Sequence, residues 1–321
     1  MQNRFWLLAP ALSSALALTS CGDQPMQPTT AGPSAAALES APASNAWLVR
    51  APSPTDYEGR VTATVPNASG QSILYVIGGF HPYPPFPARA RVDAYNVATN
   101  TWSRKHDLPV ALAYIGGAGV IGGKIYIAGG HKTSSWGWAA YAAFVYDPAA
   151  DTWTQLQGMP ARGADGVVGV IGDKLYVSLP YVDGTDRSHF FRYDPATSKW
   201  TTLPSPAHAY FMGGVLYGKL YLVGNQTEMY DPAANLWTGK APPPSAYINI
   251  WGSAAAAGAK LYVFNGSQGG TLVYAPLTDK WTFRVGGPGA WRGFVATRVF
   301  LNGKPRIELV GDGTDNWQYV P

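Results

Sequence analysis

A short segment with a tyrosine and a tryptophan seven residues apart recurs five times, and this recurrence constrains the fold more than any other feature. Between the two aromatic residues, most copies place Asp at the first turn position and Pro at the next. Asp bonds to nearby backbone amides and Pro presets φ for a type I turn, so each copy predicts a β-hairpin. The five copies are AYNVATNTW (94–102), VYDPAADTW (145–153), RYDPATSKW (192–200), MYDPAANLW (229–237) and VYAPLTDKW (273–281).

A second set of apolar segments is interleaved with these hairpins. Each is a short buried strand with a glycine or polar exit, and a strand rich in small residues lies ahead of it. Each repeat unit therefore has four strands, with a period of about 37 to 55 residues. The apolar segments are ILYVIGG (73–79), KIYIAGG (124–130), KLYVSLP (174–180), KLYLVGN (219–225), KLYVFNG (260–266) and RIELVGD (306–312).

The order strand, Gly-Gly, Tyr-Asp-Pro, Trp and then Pro resembles the kelch repeat, whose units form the blades of a β-propeller. The resemblance runs over residues 46–321 and is imperfect, because the Gly pair is intact only at Gly78-Gly79 and Gly129-Gly130. It implies an all-β, six-bladed propeller with four-stranded antiparallel blades. Trp47, in NAWLVRAPSP (45–54), is expected to supply the outer strand of the last blade and so close the ring.

The first 45 residues differ in kind. Residues 1–20 read as a signal peptide, and Leu18-Thr19-Ser20-Cys21 resembles the lipobox of bacterial lipoproteins, which predicts lipidation of Cys21. An ordinary signal peptide beside an incidental cysteine is the alternative. Residues 21–45 are rich in Pro, Ala and Ser and predict a flexible tether. We therefore expect an exported protein held at the outer membrane or cell surface by its lipid alone.

Composition narrows the function. Only 13% of residues are charged and the net charge of +4 is thinly spread, which argues against nucleic-acid binding. The five histidines show no metal-ligand spacing, so neither metal nor cofactor is expected.

The kelch resemblance implies a monomeric, non-catalytic platform for an unknown protein or glycan. A sugar-modifying enzyme similar to the sialic-acid mutarotases is the alternative. A copper radical oxidase is disfavoured, because its Tyr–Cys crosslink needs a cysteine and Cys21 is the only one.

Candidate binding residues lie on loops that do not repeat. The connections between second and third strands are long in blades 1 to 3 and short in blades 4 to 6, which predicts a groove on one half of that face. The same loops could instead merely pack on one another. The loop candidates are Tyr83, Arg89, His131, Trp136, Trp138, Tyr181, Asp183 and Arg187. Four more, matched to the kelch Arg near the channel mouth, are Arg162, His208, Tyr247 and Arg292, with structural hydrogen bonding as their alternative role.

Overall fold

Six four-stranded antiparallel sheets form the fold, as the repeat predicts. The computed structural model describes residues 44–132, 140–182, 188–244, 252–265, 270–287, 294–311 and 313–321, without the side chains of 181, 182 and 265. All of these residues belong to one compact unit, Pro42–Pro321. Within these ranges the regular structure is entirely β, and no helix occurs.

The chain traces each sheet, or blade, from its inner strand to its outer strand. Listed from the inner strand outward, blade 1 consists of β2 (Val61–Pro66), β3 (Ser72–Ile77), β4 (Val92–Asn96) and β5 (Thr101–Arg104), and blade 2 of β6 (Gly117–Ile121), β7 (Lys124–Ala128), β8 (Ala143–Asp147) and β9 (Thr152–Gln155). Blade 3 consists of β11 (Val167–Ile171), β12 (Lys174–Leu179), β14 (His189–Asp194) and β15 (Lys199–Leu203), and blade 4 of β16 (Met212–Leu216), β17 (Lys219–Val223), β18 (Thr227–Asp231) and β19 (Leu236–Lys240). Blade 5 consists of β20 (Ser253–Ala257), β21 (Lys260–Asn265), β22 (Gly270–Ala275) and β23 (Lys280–Val285), and blade 6 of β24 (Val295–Leu301), β25 (Lys304–Val310), β26 (Asn316–Val320) and β1 (Ala46–Val49). A separate short pair joins β10 (Gly163–Ala164) to β13 (Tyr181–Val182).

Strands from both ends of the described chain share the last blade. The outer strand β1 pairs with β26, and Trp47 lies opposite Tyr319. This pairing confirms the predicted ring closure, because β1 covers the edge of β26 that would otherwise be unpaired. Just beyond β1, the Arg50 side chain donates to the Tyr95 hydroxyl at 2.9 Å and to the Val97 carbonyl at 2.5 Å, so the closing strand is also fastened to blade 1.

The recurring tryptophans join neighbouring blades. Each indole N–H donates to a backbone carbonyl in the segment that follows the outer strand of the preceding blade. Burying an aromatic ring while satisfying its polar group makes such a contact favourable. The five bonds are Trp102 to Ala51 (2.9 Å), Trp153 to His106 (3.0 Å), Trp200 to Gln157 (2.9 Å), Trp237 to Pro204 (2.7 Å) and Trp281 to Ala241 (2.8 Å).

The repeated tyrosine and the turn complete this junction. In blade 5 the Tyr274 hydroxyl donates to Asp279 Oδ1 at 2.6 Å, and the same oxygen accepts the Ala241 N–H at 3.0 Å. Ala241 is thus held at its N–H by Asp279 and at its carbonyl by Trp281. Blades 1 and 2 repeat the arrangement with Asn100 and Asp151. The hairpin motif is therefore both a turn and the contact that joins one blade to the next.

Small residues bring the inner strands together around the central channel. A Cβ on Gly119 of β6 would lie 2.5 Å from Leu175 Cδ1 of blade 3, and one on Gly169 of β11 would lie 2.5 Å from Val215 Cγ2 of blade 4. Both distances are far below ordinary van der Waals contact. Glycine is therefore required for this spacing, in agreement with the close packing predicted for the small-residue strands.

Candidate functional site

The central channel contains a cavity of about 710 Å³ at the end where the chain crosses from blade to blade. Inner strands of all six blades contribute to its wall, and much of that wall is glycine, alanine and serine. The larger or charged side chains come from residues placed shortly before the inner strands or at their start. They are Glu58, Arg60, Tyr114, Asp165, Phe211 and Phe294.

The wall is chemically uneven. Glu58, Tyr114 and Asp165 come from blades 1 to 3, whereas Phe211 and Phe294 come from blades 4 and 6. Burial raises the pKa of the Asp165 carboxyl to about 7. Burial, then the charges of Asp165 and Glu58, raises the pKa of Tyr114 to about 12. One side of the cavity therefore carries two carboxylates together with Arg60 and Tyr114, and the other side carries phenylalanine rings.

The backbone holds Tyr114 and Asp165 in unusual conformations. Both have positive φ, 50° and 53°, like Gly59 at 62° in blade 1. The Tyr114 N–H donates to the Gly59 carbonyl and the Asp165 N–H donates to the Tyr114 carbonyl, each at 2.8 Å. A left-handed conformation at a bulky residue costs about 1–3 kcal/mol, and such strain is concentrated at binding sites. Hydrogen bonds between successive blades keep these two side chains in place.

Of the predicted loop residues that the structure describes, only His131 contacts a residue of the cavity wall. The Tyr83 side chain is 63% exposed, and its ring lies 5.4 Å from that of His81. The Arg89 guanidinium lies 5.8 Å from the Tyr57 ring centroid. His131 is buried, which lowers its pKa, and its ring meets that of Tyr114 edge-on at 6.0 Å. His131 therefore supports the cavity wall from behind.

The residues predicted to line the channel are placed differently. Arg162 is exposed and lies over the Tyr141 ring at 5.3 Å, and neither Arg162 nor His208 belongs to the cavity wall. Both lie outside the wall, and ligand binding by them stays a prediction. Trp136, Trp138, Asp183, Arg187, Tyr247, Arg292 and Cys21 lie outside the described residues, as does the side chain of Tyr181.

A carboxylate–imidazole pair in blade 4 was not predicted from sequence. The His208 Nδ1 lies 2.8 Å from Glu228 Oε1, and the Ala207 N–H donates to Glu228 Oε2 at 3.0 Å. Glu228 is buried, whereas the His208 side chain is 58% exposed. Glu228 stands two residues before the repeat tyrosine, where blades 2, 3 and 5 carry Phe144, Phe191 and Leu272. Blade 1 also carries a charge there, Asp93, and a glutamate at this mostly apolar position was the available signal.

Comparison with known proteins agrees with the repeat and the fold. Residues 116–160 match the Kelch motif. The chain is 32% identical over 169 residues to Kelch-like protein terF of Aspergillus terreus, which covers 48% of this chain and 36% of that protein. The chain therefore contains a kelch repeat and is similar to kelch-like proteins over about half of its length. Other kelch relatives include Kelch-like protein 15 of Danio rerio, 29% identical over 189 residues (47% of this chain, 31% of the relative). Kelch-like protein 23 of Homo sapiens is 29% identical over 156 residues (47% and 26%).

The chain thus spans about a third or less of the length of these relatives. In the part of this kelch propeller that the structure describes, no helix is long and apolar enough to cross a membrane. The described ranges also contain no cluster of three or more His, Cys, Asp or Glu side chains arranged to hold a metal ion.

Proposed function

We propose that this kelch propeller is a non-catalytic recognition platform that binds a protein or glycan through its loop-rich face, the face onto which the channel cavity opens. Kelch propellers typically bind protein partners, which supports the protein arm of the proposal. The observation that carries it is a set of exposed aromatic side chains on the long loops of blades 1 and 2. They are Tyr83 (63% exposed), Phe86 (40%) and Tyr141 (45%).

The Tyr83 ring is part of a wider strip. The Tyr83 ring lies 5.4 Å from His81, the His81 ring lies 6.2 Å from Tyr57, and Arg89 covers Tyr57. Ring faces stack on sugars or on apolar side chains, and neighbouring Arg and His donate hydrogen bonds to carbonyl or hydroxyl oxygens. Short loops on blades 4 to 6 leave the opposite half of the face low, so a partner has room to lie against the strip.

The platform is proposed to stand at the bacterial surface. Cys21, in the lipobox-like Leu18-Thr19-Ser20-Cys21, supplies the lipid attachment, and residues 21–45 act as the tether. Stable anchoring by acyl chains requires more than one chain, which a lipoprotein cysteine carries. The loop face then reaches its partner at a distance set by the tether.

Matched aromatic substitutions test the binding proposal. The full-length protein is screened on a glycan array and in pull-downs from envelope extracts, and each positive ligand is then titrated against variants. We expect Tyr83→Ala and Tyr141→Ala each to weaken binding about tenfold, as for a contact aromatic. Tyr217→Ala is the control, because Tyr217 is 53% exposed in the β16–β17 turn on the opposite face. Equal loss in all three variants, or in none, contradicts the proposal.

The His208–Glu228 pair favours one second candidate, a sugar-modifying activity similar to that of the sialic-acid mutarotases. A buried carboxylate that accepts from Nδ1 leaves Nε2 as a base that can take a proton from a hydroxyl. NMR measurement of sialic-acid anomer exchange, with Glu228→Gln as the inactive variant, tests this. Catalysed exchange that Glu228→Gln abolishes establishes the enzyme in place of the platform.

A further inference from the structure

The channel cavity has a size suited to an organic ligand. Its volume of about 710 Å³ falls within the range of small-molecule sites, roughly 300–1,000 Å³. Gly116, Gly117 and Gly166 also belong to the cavity wall, in which Tyr114 and Asp165 lie. The cavity is thus far larger than a bare metal ion requires, and part of its wall is aromatic.

Asp165 is a charged group without a protein partner. In the described part of the chain its carboxylate accepts no hydrogen bond and forms no ion pair, and burial is what perturbs its pKa. Its backbone is held by the bond to the Tyr114 carbonyl, and the next residue is closely packed, since a Cβ on Gly166 would lie 2.2 Å from the Ser178 carbonyl oxygen. Asp165 is partly buried. An anion that has lost much of its hydration and has no counter-ion is unfavourable, so a cationic ligand would relieve a cost already present in the fold.

Tyr114 stands beside this carboxylate. Its ring stacks on Phe80 at 5.0 Å, and its hydroxyl lies in the field of both Asp165 and Glu58. An aromatic ring next to carboxylates is the combination that binds alkylammonium groups, because the ring face and the carboxylates are both negative.

Arg60 does not neutralise this side of the cavity by pairing with Asp165. Its Nη1 donates to Ser53 Oγ at 3.2 Å and to the Thr55 carbonyl at 3.1 Å, both in the segment that enters blade 1. Its Nε and Nη2 are buried and make no hydrogen bond within the described chain. Arg60 thus belongs to the cavity wall, but its hydrogen bonds go to the segment that enters blade 1 and not to Asp165.

We propose that the channel cavity binds an organic ligand through an ammonium group, with Asp165 as the counter-ion and the Tyr114 ring beside it. The ammonium group belongs either to a small free amine or to a lysine side chain of a partner protein. This site is distinct from the exposed aromatic strip of the loop-rich face and does not depend on that strip being a platform.

Calorimetric titration of the full-length protein at pH 8 tests the site with three probes. These are 1,5-diaminopentane, the peptide acetyl-Gly-Lys-Gly-amide and the neutral analogue 1,5-pentanediol. We expect at least one amine to bind at least tenfold more tightly than the diol. Asp165→Asn should weaken that binding at least tenfold, while Asp107→Asn, which changes an exposed carboxylate paired with Arg104, leaves it unchanged. Tighter binding of the peptide identifies a partner lysine as the source, and tighter binding of the diamine identifies a free amine.

Thermal unfolding verifies that Asp165→Asn is folded, and we expect no decrease in Tm at pH 8, because the substitution removes an unpaired buried charge. The proposal is overturned when neither amine binds at millimolar concentration. Binding that Asp165→Asn leaves intact, or a diol that binds as well as the amines, also overturns it. None of these results bears on the Tyr83 and Tyr141 variants, so failure here is distinguishable from failure of the platform.

Discussion

Replacing Asp279 with alanine removes one inter-blade junction while leaving the apolar core intact. The substitution deletes the acceptor of the Tyr274 O–H (2.6 Å) and of the Ala241 N–H (3.0 Å). Each bond contributes about 0.5–1.5 kcal/mol. Asp279 also has φ of 52°, a left-handed conformation that Asp tolerates better than Ala, so strain of about 1 kcal/mol is added. The expected loss in the free energy of unfolding is about 2–4 kcal/mol.

Thermal unfolding of the full-length protein, followed by circular dichroism at one fixed scan rate, measures this loss. At about 2 °C per kcal/mol for a domain of this size, Asp279→Ala should lower Tm by about 4–8 °C. Asp279→Asn retains the acceptor oxygen and tolerates the same φ, so its Tm should fall by less than about 2 °C.

Blade 3 supplies the matched control for this prediction. Ser198 occupies the equivalent turn position with φ of 55°, yet it makes no hydrogen bond to the repeat tyrosine Tyr193 within the described chain. Ser198→Ala should therefore change stability by no more than about 0.5 kcal/mol. The reasoning is refuted when Asp279→Asn falls as far as Asp279→Ala, or when Ser198→Ala does.

Three further predictions concern packing, pH and anchoring. Trp153→Ala should lower the free energy of unfolding, measured by thermal unfolding, by about 3–5 kcal/mol. Trp153→Phe loses mainly the hydrogen bond to the His106 carbonyl and should lower it by about 1–2 kcal/mol. Equal losses in the two variants would show that the indole N–H does not contribute to stability. The Asp165 pKa is raised to about 7 in the fold, above its unfolded value, so the fold prefers the protonated acid. The contribution of Asp165 to the free energy of unfolding is therefore most favourable below about pH 4, and up to about 4 kcal/mol of it is lost as the pH rises to about 7. The Tm of Asp165→Asn should therefore rise relative to that of the unsubstituted protein between pH 5 and 8. A Tm difference that is flat with pH contradicts this assignment. Cys21→Ala should move the protein from the membrane fraction to the soluble fraction on immunoblots, and retention in the membrane would contradict lipid anchoring through Cys21.

The hairpins were predictable because their causes are local. Asp147, for example, accepts the N–H groups of Ala149 and Ala150, as expected of Asp at the first position of its turn. The tyrosine and tryptophan at either side of such a turn then face each other across the strand pair, as Tyr146 and Trp153 do. The number of repeats and the match of Trp47 to the other hairpins were enough to predict six blades and the closing strand.

The site was less predictable because its residues meet only when the ring closes. Arg162 was matched to the channel mouth by its place in the repeat; its guanidinium lies 5.3 Å from the Tyr141 ring centroid, and Arg162 does not belong to the cavity wall. His208 lies twenty residues from Glu228 and in a different segment of the fold, so their 2.8 Å contact could not be found by spacing.

By itself, the sequence determined the strands, the turns and the architecture of the propeller, since hydrogen bonding within a few residues and a repeated apolar pattern suffice for these. Only the tertiary structure decided what the channel wall contains. Tyr114 and Asp165 are fifty-one residues apart, and a bond between their backbones across two blades brings them to one wall. The chemistry of that wall depends on burial and on charges contributed by separate blades, and neither is defined until all six blades surround the channel.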